Sequence, residues 1–181
     1  MDKKIIKFVG YSESGKTTLI ENIIKKLKLS GLRVATVKHD VHGLDIHKEG
    51  KDSYRYSAAG ADISVVSTKD LTVYKVHKDL SLEEILNNIN DCDLIIVEGY
   101  SSDESIPCIG VARKCTNKGF KGDIKNYKFV TSDYTSDELS NMGYFGASAN
   151  INDIEANVNM IKKVLHQYTE YFHHYYILLQ L

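Results

Sequence analysis

The chain has 181 residues, of which 43% are hydrophobic, and this is enough for one domain with a substantial core. Its formal net charge of −1 excludes a general electrostatic attraction to nucleic acid or to membrane surfaces. Its apolar runs fall short of the ~20 residues of a membrane span, and the three widely spaced cysteines indicate neither a disulfide framework nor a C-x-x-C metal site.

The first two predicted elements are a strand and a helix joined by a glycine-rich turn. Charged residues at the N-terminus lead directly into the strand, so we expect no signal peptide and a cytoplasmic location. Residues 10–17 have the sequence G-Y-S-E-S-G-K-T, a complete G-x-x-x-x-G-K-[ST] phosphate-binding loop. The apolar residues around the loop follow strand and helix spacing, and they are Ile5, Ile6, Phe8, Val9, Leu19, Ile20, Ile23, Ile24 and Leu27. The sequence therefore predicts a nucleoside triphosphate site between this strand and this helix.

The glycine, lysine and threonine residues of the loop are residue types that phosphate binding requires. Gly10 and Gly15 allow backbone N–H groups to approach phosphate oxygens closely. Lys16 can reach the β- and γ-phosphates, and the hydroxyl of Thr17 can ligate Mg²⁺. The N-terminus of the helix adds the positive end of its dipole.

The rest of the chain alternates predicted strands with predicted helices. Strands are expected at 33–38, 63–67, 71–76, 94–97, 106–112 and 127–131, with a short one at 144–145. Helices are expected at 51–59, 82–88 and 153–166. This order predicts an α/β fold of the P-loop NTPase type, with a mainly parallel sheet flanked by helices and a β-hairpin insertion. We expect a nucleotide-binding domain at 1–166 and an apolar C-terminal extension at 167–181.

Two acidic residues at the ends of predicted strands are candidates for metal binding and catalysis. Glu98 ends the strand at 94–97, where phosphate-loop enzymes place an acidic residue that holds Mg²⁺ directly or through water. Because it is Glu rather than the commoner Asp, a second role in orienting the attacking water stays open. Asp40 follows the second strand and can join the Mg²⁺ shell or position water. We therefore predict Thr17, Asp40 and Glu98 as the metal site, with Asp40 and Glu98 as the catalytic residues.

The histidine-containing loop after the second strand leaves an alternative open. His39, His42 and His47, together with Asp45, are ligand types that suit zinc or nickel. Their irregular spacing matches no known ligand pattern, so a transition-metal site is the less favoured interpretation.

One further carboxylate is a candidate for base recognition. Asp133 follows the strand at 127–131, and in guanine-specific folds an Asp there accepts hydrogen bonds from N1–H and the exocyclic amine of guanine. The Asn-Lys or Thr-Lys pair that usually precedes it is missing. Arg113 is the nearest candidate for an arginine finger, with contact to a substrate or partner protein as the alternative.

Taken together, several segments resemble the molybdopterin-guanine dinucleotide biosynthesis protein B family over about residues 5–165. They are residues 10–18, Lys38-His39-Asp40, Gly50-Lys51-Asp52-Ser53-Tyr54, Ala59-Gly60-Ala61, Val97-Glu98-Gly99-Tyr100 and Arg113. One departure is Ser101, where the family commonly has Lys. The resemblance implies a usually dimeric GTP-binding protein with weak GTPase activity, which assists a nucleotidyltransferase that attaches GMP to molybdopterin.

The same resemblance implies roles for individual residues. It places Ser14 to Thr18 on the phosphates and Asp40 and Glu98 near Mg²⁺. The complete set of predicted nucleotide-binding residues is Gly10, Glu13, Ser14, Gly15, Lys16, Thr17, Thr18 and Asp133. The expected cofactors are GTP and Mg²⁺, and the expected partners are the nucleotidyltransferase, molybdopterin and a second copy of the chain.

Two other function classes remain as competitors. A metal-delivery GTPase of the hydrogenase or urease accessory type would suit the histidine loop, but none of the three cysteines is placed in the metal motif usual for that class. An ATP-dependent ligase or kinase similar to dethiobiotin synthetase would share the Val-Glu-Gly strand end. Such an enzyme needs an acceptor pocket, which the sequence does not reveal.

Overall fold

The computed structural model describes residues 4–39 and 52–178, with side chains described as far as Gln167. The chain divides into two compact units, one formed by residues 1–39 and 90–181 and the other by residues 40–89. Within the described residues, none of the helices combines the length and the hydropathy needed to cross a bilayer.

The elements follow one another in an alternating order. The strands are β1 (Lys4–Val9), β2 (Val34–Lys38), β3 (Ile63–Ser67), β4 (Thr72–Val76), β5 (Leu94–Glu98), β6 (Cys108–Ala112), β7 (Tyr127–Ser132) and β8 (Ser148–Asn150). The helices are α1 (Lys16–Leu29), α2 (Asp52–Ala58), α3 (Leu82–Asn88), α4 (Ser136–Asn141) and α5 (Ile154–Leu178).

The larger unit is built on a six-stranded sheet with the order β2-β5-β1-β6-β7-β8. Every pair of neighbouring strands in it is parallel. The carboxyl ends of all six strands therefore meet at one edge of the sheet, which is where α/β proteins bind ligands. The predicted α/β fold with a mainly parallel sheet is confirmed.

Helices pack against both faces of this sheet, because the strands carry apolar side chains on both faces. Ile6 and Phe8 of β1 lie in a buried cluster with one side of α1 and one side of α5. The buried residues of α1 recur at helical spacing, and they are Leu19, Ile20, Ile23 and Leu27. On the other face, Val9 and Val130 pack with Leu139 of α4 and with Tyr144. Burial on both faces explains why the central strands are nearly continuous apolar runs.

The smaller unit contains the predicted hairpin. Strands β3 and β4 pair antiparallel, and the turn is closed by Thr68 N–H donating to Leu71 O at 2.8 Å. Helix α2 contacts β3 through the hydroxyls of Ser57 and Ser64, which are 3.0 Å apart. The hairpin insertion is therefore confirmed as a separate two-stranded sheet.

The structure corrects the predicted elements near the C-terminus. The strand expected at 144–145 is wrong, because Tyr144 is buried beside Leu139 and donates its hydroxyl to Ala147 O at 2.7 Å. The last strand is β8 instead.

Two helices also differ from the prediction. Helix α4 was not predicted, although Thr135 and Glu138 form a capping box at its start. Helix α5 extends beyond residue 166 to Leu178 because no glycine or proline interrupts it. The division at residue 166 stays a prediction.

Candidate functional site

The phosphate-binding loop connects β1 to α1 at the carboxyl edge of the sheet. A side chain at Gly10 would overlap the carbonyl oxygen of Val111 and approach the Ser14 hydroxyl to 2.7 Å, so the loop can lie against β6 only if this residue is glycine. Gly15 is the N-cap of α1 and has a φ of 84°, a left-handed conformation that disfavours other residues. The two glycines therefore shape the loop as its phosphate-binding role requires.

The side chains within the loop differ in exposure. Glu13 and Thr18 are exposed, whereas Ser14 is buried and donates its backbone N–H to Tyr11 O at 3.3 Å. Glu13 has a φ of 66°, so the turn is tight between the two glycines. Glu13 and Ser14 thus lie in the turn between the two glycines, and Thr18 lies in the first turn of α1.

Lys16 folds back over the loop. Its ammonium group donates to Gly10 O at 2.9 Å and to Tyr11 O at 2.6 Å. Burial lowers the pKa of Lys16, and the negative charge of Glu98 partly opposes this shift. An ammonium group held in this position can donate charge-assisted hydrogen bonds to phosphate oxygens.

Glu98 and Thr17 meet beside the loop. The Thr17 hydroxyl lies 3.4 Å from each carboxylate oxygen of Glu98. Glu98 ends β5, directly beside β1. A hydroxyl and a carboxylate at this separation are oxygen ligands of the kind that Mg²⁺ prefers, so the donor set fits that ion.

The position of the segment that follows Glu98 is constrained by a glycine beside His39 and by hydrogen bonds from a buried lysine. Gly99 has a φ of 99°, and a side chain there would approach the Cβ of His39 to 3.1 Å. Lys7 of β1 is only 1% exposed, and its ammonium group donates to Tyr100 O at 3.1 Å and to Asp103 O. A buried cation thus holds the chain that leaves β5, and this constrains the position of the carboxylate before it.

Asp40 cannot be placed, because it lies outside the described residues. The same is true of His42, Asp45, His47 and Lys51. Only His39 of the predicted histidine loop is described, and its ring lies 4.7 Å from that of Tyr100. In the part of the chain that the structure describes, no three His, Cys, Asp or Glu side chains are grouped as a metal site. The role of Asp40 stays a prediction.

Asp133 lies directly after β7 at the same edge of the sheet. One of its carboxylate oxygens accepts a hydrogen bond from Lys114 N–H at 2.8 Å. This bond joins the ends of β6 and β7 and uses one lone pair of the carboxylate. The other oxygen retains its acceptor capacity, which a base-reading role would need.

Two residues that were not assigned to the predicted nucleotide site also lie at this edge. A side chain at Gly15 would come within 2.8 Å of the Nε of Arg113, so this arginine lies directly against the loop. The Nη2 of Arg113 donates to Asn152 Oδ1 at 3.2 Å. Asn152 follows β8 and is 39 residues away in the chain. The sequence carries no signal for such a pairing, because it depends on the strand order.

The family comparison agrees with this geometry. The family model described as molybdopterin guanine dinucleotide synthesis protein B, MobB, matches residues 5–131. A putative molybdopterin-guanine dinucleotide biosynthesis adapter protein of Methanocaldococcus jannaschii is 40% identical over 99 residues, which are 54% of this chain and 41% of that protein. The adapter protein of Haemophilus influenzae is 34% identical over 114 residues, which are 61% of this chain and 64% of that protein. The chain thus spans less than two thirds of each of these relatives.

Solved structures agree with the fold. The crystal structure of Bacillus subtilis MobB aligns with a TM-score of 0.68 and 27% identity, covering 91% of this chain and 97% of that one. A MobB homologue from Bacillus stearothermophilus aligns with a TM-score of 0.61 and 20% identity, covering 90% and 98%. The fold is that of the P-loop NTPases, and such a fold implies nucleotide binding. Because the family model covers more than half of the sequence, the chain belongs to the molybdopterin guanine dinucleotide synthesis protein B family.

Proposed function

We propose that this protein is a GTP-binding adaptor in molybdenum cofactor biosynthesis, which assists a nucleotidyltransferase in attaching GMP to molybdopterin. The observation that carries the proposal is the phosphate-binding loop with Thr17 and Glu98 beside it, in a member of this family. The relatives named as adapter proteins of molybdopterin-guanine dinucleotide biosynthesis supply the pathway. We propose that the protein acts in the cytoplasm.

The nucleotide is proposed to be GTP with Mg²⁺. Lys16 and the loop N–H groups would hold the β- and γ-phosphates, and Thr17 and Glu98 would hold the ion, with Asp40 as the further candidate ligand. When bound, Mg²⁺ neutralises negative charge on the β- and γ-phosphates. The protein groups then have only to position the nucleotide and to orient water, for which Glu98 is the candidate.

A comparison of ligands tests this function. Purified protein would be titrated with GTP, ATP and Ni²⁺, and unfolding would be followed by thermal shift. A ligand present at 100 times its Kd stabilises the folded state by about 2.7 kcal/mol, which is easily detected. We expect the largest shift with GTP and Mg²⁺. A larger shift with ATP would favour the ligase alternative, and one with Ni²⁺ alone would favour metal delivery. Recovery of a nucleotidyltransferase or of molybdopterin with the purified protein would support the pathway.

Hydrolysis of GTP by the isolated protein should be slow. In the described part of the larger unit there are two arginines, Arg33 just before β2 and Arg113 just after β6. The described hydrogen bonds join their guanidinium groups to Asp93 and Asn152, and not to Thr17 or Glu98. A missing arginine finger costs roughly 10³–10⁵ in rate, so we expect a turnover number below about 1 s⁻¹. Phosphate release under saturating GTP measures it, and chelation of Mg²⁺ should lower it further. A faster rate would contradict this prediction.

A homodimer is also proposed. One face of the β3–β4 hairpin carries four apolar side chains that are exposed by 40–70%, and they are Ile63, Val65, Tyr74 and Val76. Two strands with an open apolar face are marginal in water, and a second copy can cover the face symmetrically. Light scattering should give the mass of a dimer for the wild type. Tyr74→Lys should lower that mass. Lys69→Ala, in the exposed turn of the same hairpin, is the control and should leave the mass unchanged. An unchanged mass for Tyr74→Lys would assign the interface to another surface.

A further inference from the structure

Arg113 is a cation in an unfavourable place. It lies against Gly15, the N-cap of α1, where the helix dipole presents its positive end. Among the described residues, no carboxylate comes within ion-pairing distance of its guanidinium group. Its Nε is buried and has no hydrogen-bond partner in the described part of the chain. Both features cost free energy, and an anion bound at the loop would offset them.

The position of Arg113 is nevertheless fixed. Its Nη2 donates to Asn152 Oδ1, and Asn152 N–H in turn donates to Asn150 Oδ1 at 2.9 Å. The guanidinium group is thus held by the segment that follows β8. An arginine anchored by a neutral amide keeps its full charge for another partner, whereas pairing with a carboxylate would have used it.

The strand order indicates which phosphate of a bound nucleotide lies near the Arg113 guanidinium group. Strands β5 and β6 flank β1 on opposite sides. Glu98 and Thr17, the proposed Mg²⁺ ligands, mark the β5 side as the place of the β- and γ-phosphates. Arg113 follows β6, which lies between β1 and β7 in the sheet, and the next residue, Lys114, donates its N–H to Asp133 after β7. A nucleotide that runs from the metal toward Asp133 would place its α-phosphate over β6.

We propose that the Arg113 guanidinium group, positioned by Asn152, binds the α-phosphate of the nucleotide, so that it serves affinity rather than acting as an arginine finger. This inference rests on the proposed function, because it requires a nucleotide in the loop. Arg113 would contact GDP and GTP equally, since both carry the α-phosphate.

The test compares Arg113→Met with wild type, because methionine keeps most of the apolar stem and removes the charge. Affinities for GTP and GDP would be measured by titration calorimetry in the presence of Mg²⁺. A hydrogen bond to a charged group is lost, so we expect both affinities to fall by about 10- to 100-fold and by the same factor. Arg113→Lys should retain part of the affinity because it keeps the charge but loses the planar donor pair.

Thermal unfolding without nucleotide separates this role from a structural one. The unfolding midpoint of Arg113→Met should equal or exceed that of wild type, because a cation is removed from the positive end of α1. The control is Arg33→Met, which removes the same charge at the amino end of β2, where Arg33 pairs with Asp93 at 3.0 Å. It should change nucleotide affinity by less than about twofold, since charges so far apart are screened.

Each other outcome has a defined meaning. Unchanged affinity in Arg113→Met, while wild type binds GTP, would overturn this inference alone. A fall for GTP without a fall for GDP would assign Arg113 to the γ-phosphate and overturn it too. A lower midpoint without nucleotide, accompanying the weaker binding, would show a structural role instead. If wild type binds no guanine nucleotide, the proposed function fails and this inference fails with it.

Discussion

Lys16→Ala is expected to abolish nearly all GTP binding while the protein stays folded. The ammonium group of Lys16 makes its contacts with carbonyls of the loop, Gly10 O and Tyr11 O, and belongs to no apolar cluster. Its loss therefore removes little packing. Charge-assisted bonds to phosphate are worth roughly 1.5–3 kcal/mol each, so two of them account for an affinity loss of about 100-fold or more. Titration calorimetry with GTP and Mg²⁺ measures it.

A lysine elsewhere on the same helix provides the control. Lys25 is exposed and pairs with Glu21 at 2.6 Å on the outer side of α1. Lys25→Ala removes the same charge from the same helix, and its GTP affinity should match wild type because a surface pair contributes little. Far-ultraviolet circular dichroism should be unchanged in both variants. If Lys16→Ala bound GTP as tightly as wild type, the phosphate-binding interpretation of the loop would be lost.

The parts of the fold that were predictable are those with a local physical cause. The loop between β1 and α1 needed only its own glycines and the apolar spacing around it. The start of α3 was equally visible, because Ser81 and Glu84 form a capping box that occupies four consecutive positions. The hairpin followed from two β-branched runs separated by a polar turn.

The parts that were not predictable depend on contacts between distant segments. Strand β8 has only three residues, Ser148–Asn150, and it forms because β7 offers an open edge beside it. Tyr144 looked like a strand residue but is drawn into the cluster around Val130. The contact of Arg113 with the loop and with Asn152 requires the strand order, which periodicity alone does not give. Sequence patterns thus identified the loop, while tertiary pairing supplied its surroundings.

The same distinction applies to base recognition. Asp133 was proposed from its position after a strand, and the preceding Asn-Lys pair of guanine-specific folds is absent. The hydrogen bond from Lys114 N–H occupies one oxygen of the Asp133 carboxylate, and the second oxygen is the candidate acceptor for the base. Base recognition is therefore tested by a substitution that keeps the hydrogen bond from Lys114 N–H and changes only the other oxygen of Asp133.

Asp133→Asn is expected to weaken GTP and to improve the binding of xanthosine triphosphate. Asparagine retains an oxygen that can accept from Lys114 N–H, so the link between β6 and β7 should survive. Its amide NH₂ replaces an acceptor with a donor, which faces the N–H groups of guanine unfavourably and the C2 carbonyl of xanthine favourably. Each unsatisfied buried group costs about 1–3 kcal/mol, which corresponds to roughly a 5- to 150-fold change in affinity.

Titrating wild type and Asp133→Asn with GTP, ATP and xanthosine triphosphate measures this exchange. Wild type should prefer GTP to ATP, because adenine cannot satisfy a paired carboxylate acceptor. The thermal midpoint without nucleotide controls for loss of the Lys114 contact, and Asp137→Asn in the exposed first turn of α4 controls for removal of a negative charge nearby. If Asp133→Asn kept full GTP affinity, the base would be recognised elsewhere, with the backbone of residues 134–137 as the next candidate. Asp133 would then serve only to hold the end of β6, as its one described hydrogen bond already does.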